Sequence, residues 1–141
     1  IFANSTNLGG HVEIGDWAFL GGASQVHQFC KIGAHAMTAT GTVVLHDIPP
    51  YVTVSGNTAA AHGINSEGLR RRGFSAERIE TIRRAYRTLY RSGLTLQQAI
   101  AALRERQDEL ERDSAADAPA AALDLALLAG FLERVSRGIV R

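Results

Sequence analysis

Residues 1–45 read IFANSTNLGGHVEIGDWAFLGGASQVHQFCKIGAHAMTATGTVVL, and one period governs the run. Every sixth residue from Phe2 is large and apolar: Leu8, Ile14, Leu20, Val26 and Ile32 follow. The next position holds Ala3, Gly9, Gly15, Gly21, His27 and Gly33, small in all cases but His27. Four positions after each apolar residue stand Thr6, Val12, Ala18, Ser24, Cys30 and Ala36. A period of six fits neither a helix nor a simple alternating strand. On a helix the apolar positions would lie about 600° apart and share no face. The glycines would also cost a helix roughly 1 kcal/mol each.

The hexad instead reads as a short strand followed by a corner. The apolar residue points inward, the adjacent glycine frees the backbone at the corner, and the small fifth residue lets the wall close on a narrow interior. Three such sides make one triangular turn of a parallel β-helix. Thr38 stands where the next large residue belongs and Val44 restores the pattern, so the coil is expected to end between Val44 and Pro49.

The chain has 141 residues, 45% of them hydrophobic, with a formal net charge of +1. That length suits one modest domain or two small ones. The balance gives no global attraction to nucleic acid or to an anionic membrane. Charge is unevenly spread: before Asn65 only Glu13, Asp16, Lys31 and Asp47 are charged, and Arg70-Arg71-Arg72 opens a charged second half. The division is expected at 64/65, with coil and connector in 1–64 and helices in 65–141. The lone Cys30 falls on the small inward position and reads as a buried thiol. No apolar run reaches the roughly 18 residues of a membrane span, no signal peptide is evident, and the cytoplasm fits. The chain begins inside a hexad with no polar capping turn, so it reads as the C-terminal part of a longer protein.

Asp47-Ile48-Pro49-Pro50-Tyr51 is expected to break the ladder, because neither proline donates an N–H. Tyr51–Val54 suits a short strand, Ser55-Gly56-Asn57 a turn, and residues 59–65 a loop. Three helices follow. Ser75 caps the first, which carries Ile79, Ile82, Tyr86, Leu89 and Tyr90 on one face. Thr95-Leu96-Gln97-Gln98 is a capping box for the second, striped by Leu96, Ile100, Leu103 and Leu110. Residues 114–121 form a link, and the third helix carries Leu123, Leu127, Leu128, Phe131, Leu132 and Val135 up to Gly138. Together they make a small bundle.

With eighteen residues per turn, His27 stacks on Gly9 and Gln28 on Gly10. Gly10, His11, His27 and Gln28 then form one polar patch on the coil wall, with His46 near the same meridian if the register holds. Such a patch is either a surface or a site. Zinc is a rival reading, since imidazole is a common ligand, but no His-x-x-His spacing accompanies it, and we expect no metal and no cofactor. The second polar run, Asn65-Ser66-Glu67-Gly68-Leu69-Arg70-Arg71-Arg72-Gly73-Phe74, offers guanidinium forks suited to phosphate. It reads equally as a solvated charge run. It is too short and too poor in aromatics for nucleic acid.

These stretches, with Gly9-Gly10-His11-Val12, Val26-His27-Gln28-Phe29-Cys30, Asp47-Ile48-Pro49-Pro50-Tyr51 and the terminal Ser136-Arg137-Gly138-Ile139-Val140-Arg141, resemble one family. It is the bacterial acyl-(acyl-carrier-protein)–UDP-N-acetylglucosamine O-acyltransferases, which begin lipid A synthesis. The resemblance implies a left-handed parallel β-helix followed by a small helical bundle, assembled as a homotrimer with sites between subunits. It implies transfer of an (R)-3-hydroxyacyl group from acyl carrier protein to the 3-hydroxyl of UDP-N-acetylglucosamine. The Gly10 N–H would be the oxyanion donor. His11, His27 and Gln28 would contact the sugar nucleotide or place the acyl chain. Asn65, Glu67, Arg71 and Arg72 would hold uridine and phosphates. Thr40, near the position that sets chain length, implies a shorter acyl group. Arg78, Arg83 and Arg84 are candidates to attract the acidic carrier protein. The family's general-base histidine, followed by aspartate, belongs to a coil preceding the stretch matched here, so this chain alone is expected to be inactive. The related N-acyltransferase of the pathway and a trimeric scaffold are the rival readings.

Overall fold

The computed structural model describes all 141 residues, which fall into two compact units. One comprises Ile1–Asn65 and Val135–Arg141, the other Ser66–Arg134.

The first unit is a parallel coil of short strands: β1 (Asn7–Leu8), β2 (Glu13–Ile14), β3 (Phe19–Leu20), β4 (Gln25–Val26), β5 (Lys31–Ile32), β6 (Met37–Thr38) and β7 (Val43–Val44). They stack in three columns, β1-β4-β7, β2-β5 and β3-β6. Asn7 lies opposite Gln25, Glu13 opposite Lys31 and Phe19 opposite Met37, so each turn takes 18 residues. The ladder bonds run between turns, as from Gly9 N–H to Val26 O (2.8 Å) and from Gly15 N–H to Ile32 O (2.7 Å). Leu20, Val26, Cys30, Ile32, Ala36 and Val44 are buried inside. Each fully buried branched residue contributes about 1.5–3 kcal/mol. Phe2 and Leu8 of the first turn are exposed.

Thr38 keeps the column filled by a polar route. Its Oγ1 lies 2.8 Å from Ser24 Oγ and accepts the Gly21 N–H at 3.1 Å, while Ser24 Oγ donates to Gly21 O at 2.6 Å. The interior hydroxyls satisfy one another and the corner backbone, which removes the penalty for burying them.

The glycines beside the apolar residues serve spacing, not backbone freedom. The left-handed positions are two residues further on, at Ser5, His11, Trp17, Ala23, Phe29 and His35 (φ 59–65°). A Cβ on Gly9 would lie 2.4 Å from Gln28 N, and one on Gly33 2.3 Å from Pro50 N. Those glycines let one corner rest on the backbone of the next turn.

The coil does not stop between Val44 and Pro49. The Ile48 N–H donates to Lys31 O (2.9 Å), Ile48 O accepts the Gly33 N–H (2.8 Å), and the Tyr51 N–H reaches Ala34 O (2.9 Å). The two prolines fall between these donors, so their missing N–H groups interrupt nothing. This last turn is shorter: Met37 pairs with Thr53 and Thr38 with Val54, 16 residues on. Its strand β8 (Val52–Ser55) is joined antiparallel by β9 (Ala60–Ile64), a strand where a loop was expected. Ala60, Ala61 and Gly63 give β9 no apolar alternation, so the strand shows only in its hairpin pairing with β8.

Residues 135–141 belong to this unit and not to the helices, because their backbone pairs with the shortened corner. The Asp47 N–H donates to Gly138 O (3.2 Å), Asp47 O accepts the Val140 N–H (2.8 Å), and Arg141 O accepts the Ala61 N–H (3.2 Å).

The second unit holds four helices, α1 (Ser66–Arg71), α2 (Ala76–Tyr90), α3 (Leu96–Glu111) and α4 (Ala118–Glu133), one more than the periodicity showed. Ser75 accepts the Arg78 N–H, and Thr95 with Gln98 closes the capping box. Ile79, Ile82, Leu89, Ile100, Leu103, Leu125 and Leu128 are buried. Leu123 and Leu127 are exposed at 72% and 45%, because α4 turns Asp124 and Leu125 inward instead. Asp124 is held by a two-pronged pair with Arg78, Nε–Oδ2 2.9 Å and Nη2–Oδ1 2.8 Å, and the same guanidinium lies 3.8 Å from the Phe74 ring centre.

Candidate active site

The hexad ruler places the polar patch at the corner that follows β1 and β4. Gly10, His11, His27 and Gln28 are all exposed there. The Gly10 carbonyl accepts the Phe29 N–H at 2.9 Å, while its own amide takes no part in the ladder. Nothing stands within 4 Å of where a Gly10 Cβ would be, in contrast to Gly9. An exposed glycine whose amide is not spent in the ladder, with open space where a side chain would stand, lets a substrate carbonyl approach the backbone, as an oxyanion donor requires. The same slot recurs one turn up at Gln28, and in the next column at Asp16, Ala34 and Pro50.

His11 and Phe29 occupy left-handed corners exactly one turn apart, and their rings stack with centres 4.9 Å apart and planes 4° from parallel. Beside this column runs a cleft of ≈ 490 Å³ lined by His11, Glu13, Gln28, Phe29, Lys31, Ser136 and Arg137. His27 does not line it. It stands beneath a corner that is two residues short, between Val44 and Ile48, and His46 of that corner lies beside Gly138 of the tail. This is also why the glycine slot tolerates His27, the one large residue among the small ones. No three His, Cys, Asp or Glu side chains converge as a metal cage.

Asp47 lies behind this wall, only 2% exposed. Its Oδ1 accepts the Lys31 N–H at 2.8 Å, and its Oδ2 has no partner. Burial pushes its carboxyl above the usual range, opposed by the Lys31 amide and charge. Burial likewise raises the Cys30 thiol, followed by the nearby Asp47 charge.

The remaining expected ligands are placed separately. Asn65 ends the first unit, where its Nδ2 donates to His35 O (3.1 Å) and its N–H to Tyr51 O (2.7 Å). Glu67, Arg71 and Arg72 sit on and just after α1 of the second unit, all exposed. Glu67 holds Arg71 Nε at 3.0 Å and also pairs with Arg70. Thr40 is exposed at a corner of the coil. Arg78 is committed to Asp124 and is not a surface charge, which corrects its reading as a carrier-protein contact. Arg83, Arg84 and Arg87 surround Glu80, whose carboxyl they hold below its usual range, the Arg83 hydrogen bond foremost.

Residues 47–140 match the family described as UDP N-acetylglucosamine O-acyltransferase, domain 2. The chain belongs to this family. Over its full length it is 52% identical to an acyl-(acyl-carrier-protein)–UDP-N-acetylglucosamine O-acyltransferase of Janthinobacterium sp., covering 51% of that protein, and equally to one of Thiobacillus denitrificans, covering 50%. The chain thus spans about half the length of the curated relatives it matches. Among solved structures, LpxA of Acinetobacter baumannii aligns with 99% of this chain and 50% of its own, at 42% identity and a TM-score of 0.83. The acyltransferase of Moraxella catarrhalis does so with the same coverage at 36% identity and a TM-score of 0.86. The fold of this acyltransferase chain is the left-handed parallel β-helix with a helical unit. No helix is long and apolar enough to cross a membrane.

Proposed function

We propose that this chain supplies part of the active site of an enzyme that moves an (R)-3-hydroxyacyl group from acyl carrier protein to the 3-hydroxyl of UDP-N-acetylglucosamine, the first step of lipid A synthesis, in the cytoplasm. Whole-length likeness to relatives of that name carries the reading. The open corner at Gly10 supports it with a mechanism. As the acceptor hydroxyl attacks the thioester carbonyl, negative charge develops on the carbonyl oxygen, and the Gly10 N–H, which donates no ladder bond, would meet it. His11 and Gln28 on the same wall would orient the sugar nucleotide or the acyl chain, with His27 at its edge. Asn65, Glu67, Arg71 and Arg72 would hold uridine and phosphates. A homotrimer suits the coil wall, which leaves Trp17, Phe29 and Leu45 exposed. Thr40 would shorten the acyl pocket.

The test joins this chain behind the amino-terminal coils of the Thiobacillus relative and assays transfer from 3-hydroxyacyl carrier protein. Gly10→Pro removes the donor and should lower kcat roughly 10²–10³-fold. The corner slot accepts proline, since Pro50 occupies its equivalent one column away, so the variant should fold. Thr40→Gly should move the preferred donor to longer chains. Full activity of the folded Gly10→Pro protein would remove Gly10 from the mechanism, and absence of any transfer by the parent fusion would remove the function.

A further inference from the structure

The cleft beside the His11–Phe29 column has a wall that no role above uses. Glu13 and Lys31 lie opposite each other in register on β2 and β5, which puts a carboxylate and an ammonium side by side. Across from them the returning tail supplies Ser136 and Arg137. Arg137 is exposed and forms no salt bridge within the chain. Its place is fixed, because the next three residues are tied to Asp47 through Gly138 O, Ile139 and the Val140 N–H. With Glu13 offsetting Lys31, the cleft keeps one surplus positive charge, carried by a guanidinium whose fork matches phosphate oxygens. Gln28 adds an amide and Ser136 a hydroxyl, both suited to the remaining oxygens. The stacked rings close one side with a flat apolar surface.

We infer that this cleft is a phosphate-ester site and that Arg137, with Lys31, is its anion-binding pair. The inference rests on the proposed function only in the choice of natural ligand: the phosphate belongs either to the diphosphate of the sugar nucleotide or to the phosphopantetheine arm of the acyl donor. The tail then does more than close the coil, since it delivers a cation into the space faced by His11 and Gln28.

The test is an NMR and calorimetric titration of this chain with three probes: inorganic pyrophosphate, UDP-N-acetylglucosamine and pantetheine 4′-phosphate. Pyrophosphate should shift the resonances of Lys31, Gln28 and Arg137, with an affinity that falls as salt rises. Arg137→Gln should weaken it roughly tenfold, about 1.4 kcal/mol, and Lys31→Gln should weaken it less because Glu13 already offsets that charge. Arg112→Gln, an exposed arginine of the helical unit, should change nothing. Unaltered Asp47 and Val140 amide resonances show that the tail of each variant is still docked. The organic probe weakened in parallel with pyrophosphate identifies the source of the phosphate. Pyrophosphate binding with no binding of either organic probe sustains the site and counts against the proposed function. Wild-type affinity for all three probes in the docked Arg137→Gln chain, or no pyrophosphate shift at the cleft, overturns the site and leaves the function standing.

Discussion

Replacing Gly9 by alanine tests whether close stacking, not backbone freedom, is what the hexad glycines provide. The added Cβ would sit 2.4 Å from Gln28 N and 2.7 Å from Gln28 Cα. Both are backbone atoms of the turn above, so no side chain can swing aside. Relief requires the two turns to part locally by about 1 Å, which overpacked sites of this kind resist at typically 1–3 kcal/mol. The parting also stretches the flanking ladder bonds, Gly9 N–H to Val26 O (2.8 Å) and Phe29 N–H to Gly10 O (2.9 Å), each worth about 1 kcal/mol. A loss of about 3 kcal/mol is expected, near the top of the overpacking range because two bonds are strained with it. Gly10→Ala, one residue on, meets nothing within 4 Å and should stay within about 0.5 kcal/mol of the parent. Urea unfolding followed by the fluorescence of Trp17, the only tryptophan and a residue of the coil, reports this unit, and helical circular dichroism reports the other as an internal control. Equal midpoints for Gly9→Ala and the parent, or equal losses for Gly9→Ala and Gly10→Ala, would refute the stacking argument.

Three further outcomes are expected. The raised Asp47 carboxyl means the folded chain holds that proton more tightly than the unfolded chain, whose value is near 3.8. Its contribution to stability is therefore full below that value and is lost as pH rises through the higher folded pKa. The neighbouring Lys31 and His46 oppose the shift while Glu13 adds to it; Asp47→Asn should flatten this decline in urea midpoints measured from acid to neutral pH, and an unchanged slope would assign it elsewhere. Asp124→Ala strands the Arg78 guanidinium and should cost the helical unit about 3 kcal/mol by thermal unfolding, whereas the double change Arg78→Met with Asp124→Leu should recover most of it. Cys30, 1% exposed and with its thiol raised by burial, should react with a thiol reagent only when the coil is unfolded; prompt labelling of the native chain would contradict its placement.

The coil was legible because its signal is periodic. Phe2 to Ile32 mark the columns, and adding eighteen to a residue number names its neighbour on the turn above. The same rule, carried past the histidines, pairs His11 with Phe29 and Glu13 with Lys31, so most of the cleft lay open to the ruler although the polar residues alone drew the eye. What the ruler could not foresee is the 16-residue last turn, since no local feature of Leu45-His46-Asp47 shows that a corner is missing. Nor could it place Arg137 in the cleft, because that depends on backbone pairing with a residue far away in sequence. The short α1 is hidden by the same cluster of arginines that suggested phosphate binding. Leu123 and Leu127 show the limit of apolar stripes: in an alanine-rich helix such as α4, Asp124 goes inward because Arg78 meets it there.

The return of Gly138–Val140 to Asp47 also constrains the helical unit. The chain leaves the first unit at Asn65 and rejoins it at Val135, so the helical unit is a loop pinned at both ends. Should its helices melt while the tail stays docked, the freed chain explores only closed conformations. For a loop of residues 66–134 that restriction is worth roughly 4 kcal/mol, comparable to a disulfide spanning the same stretch. The tail therefore works as a sulfur-free crosslink: clipping it at Val135 should lower the melting temperature of the helical unit.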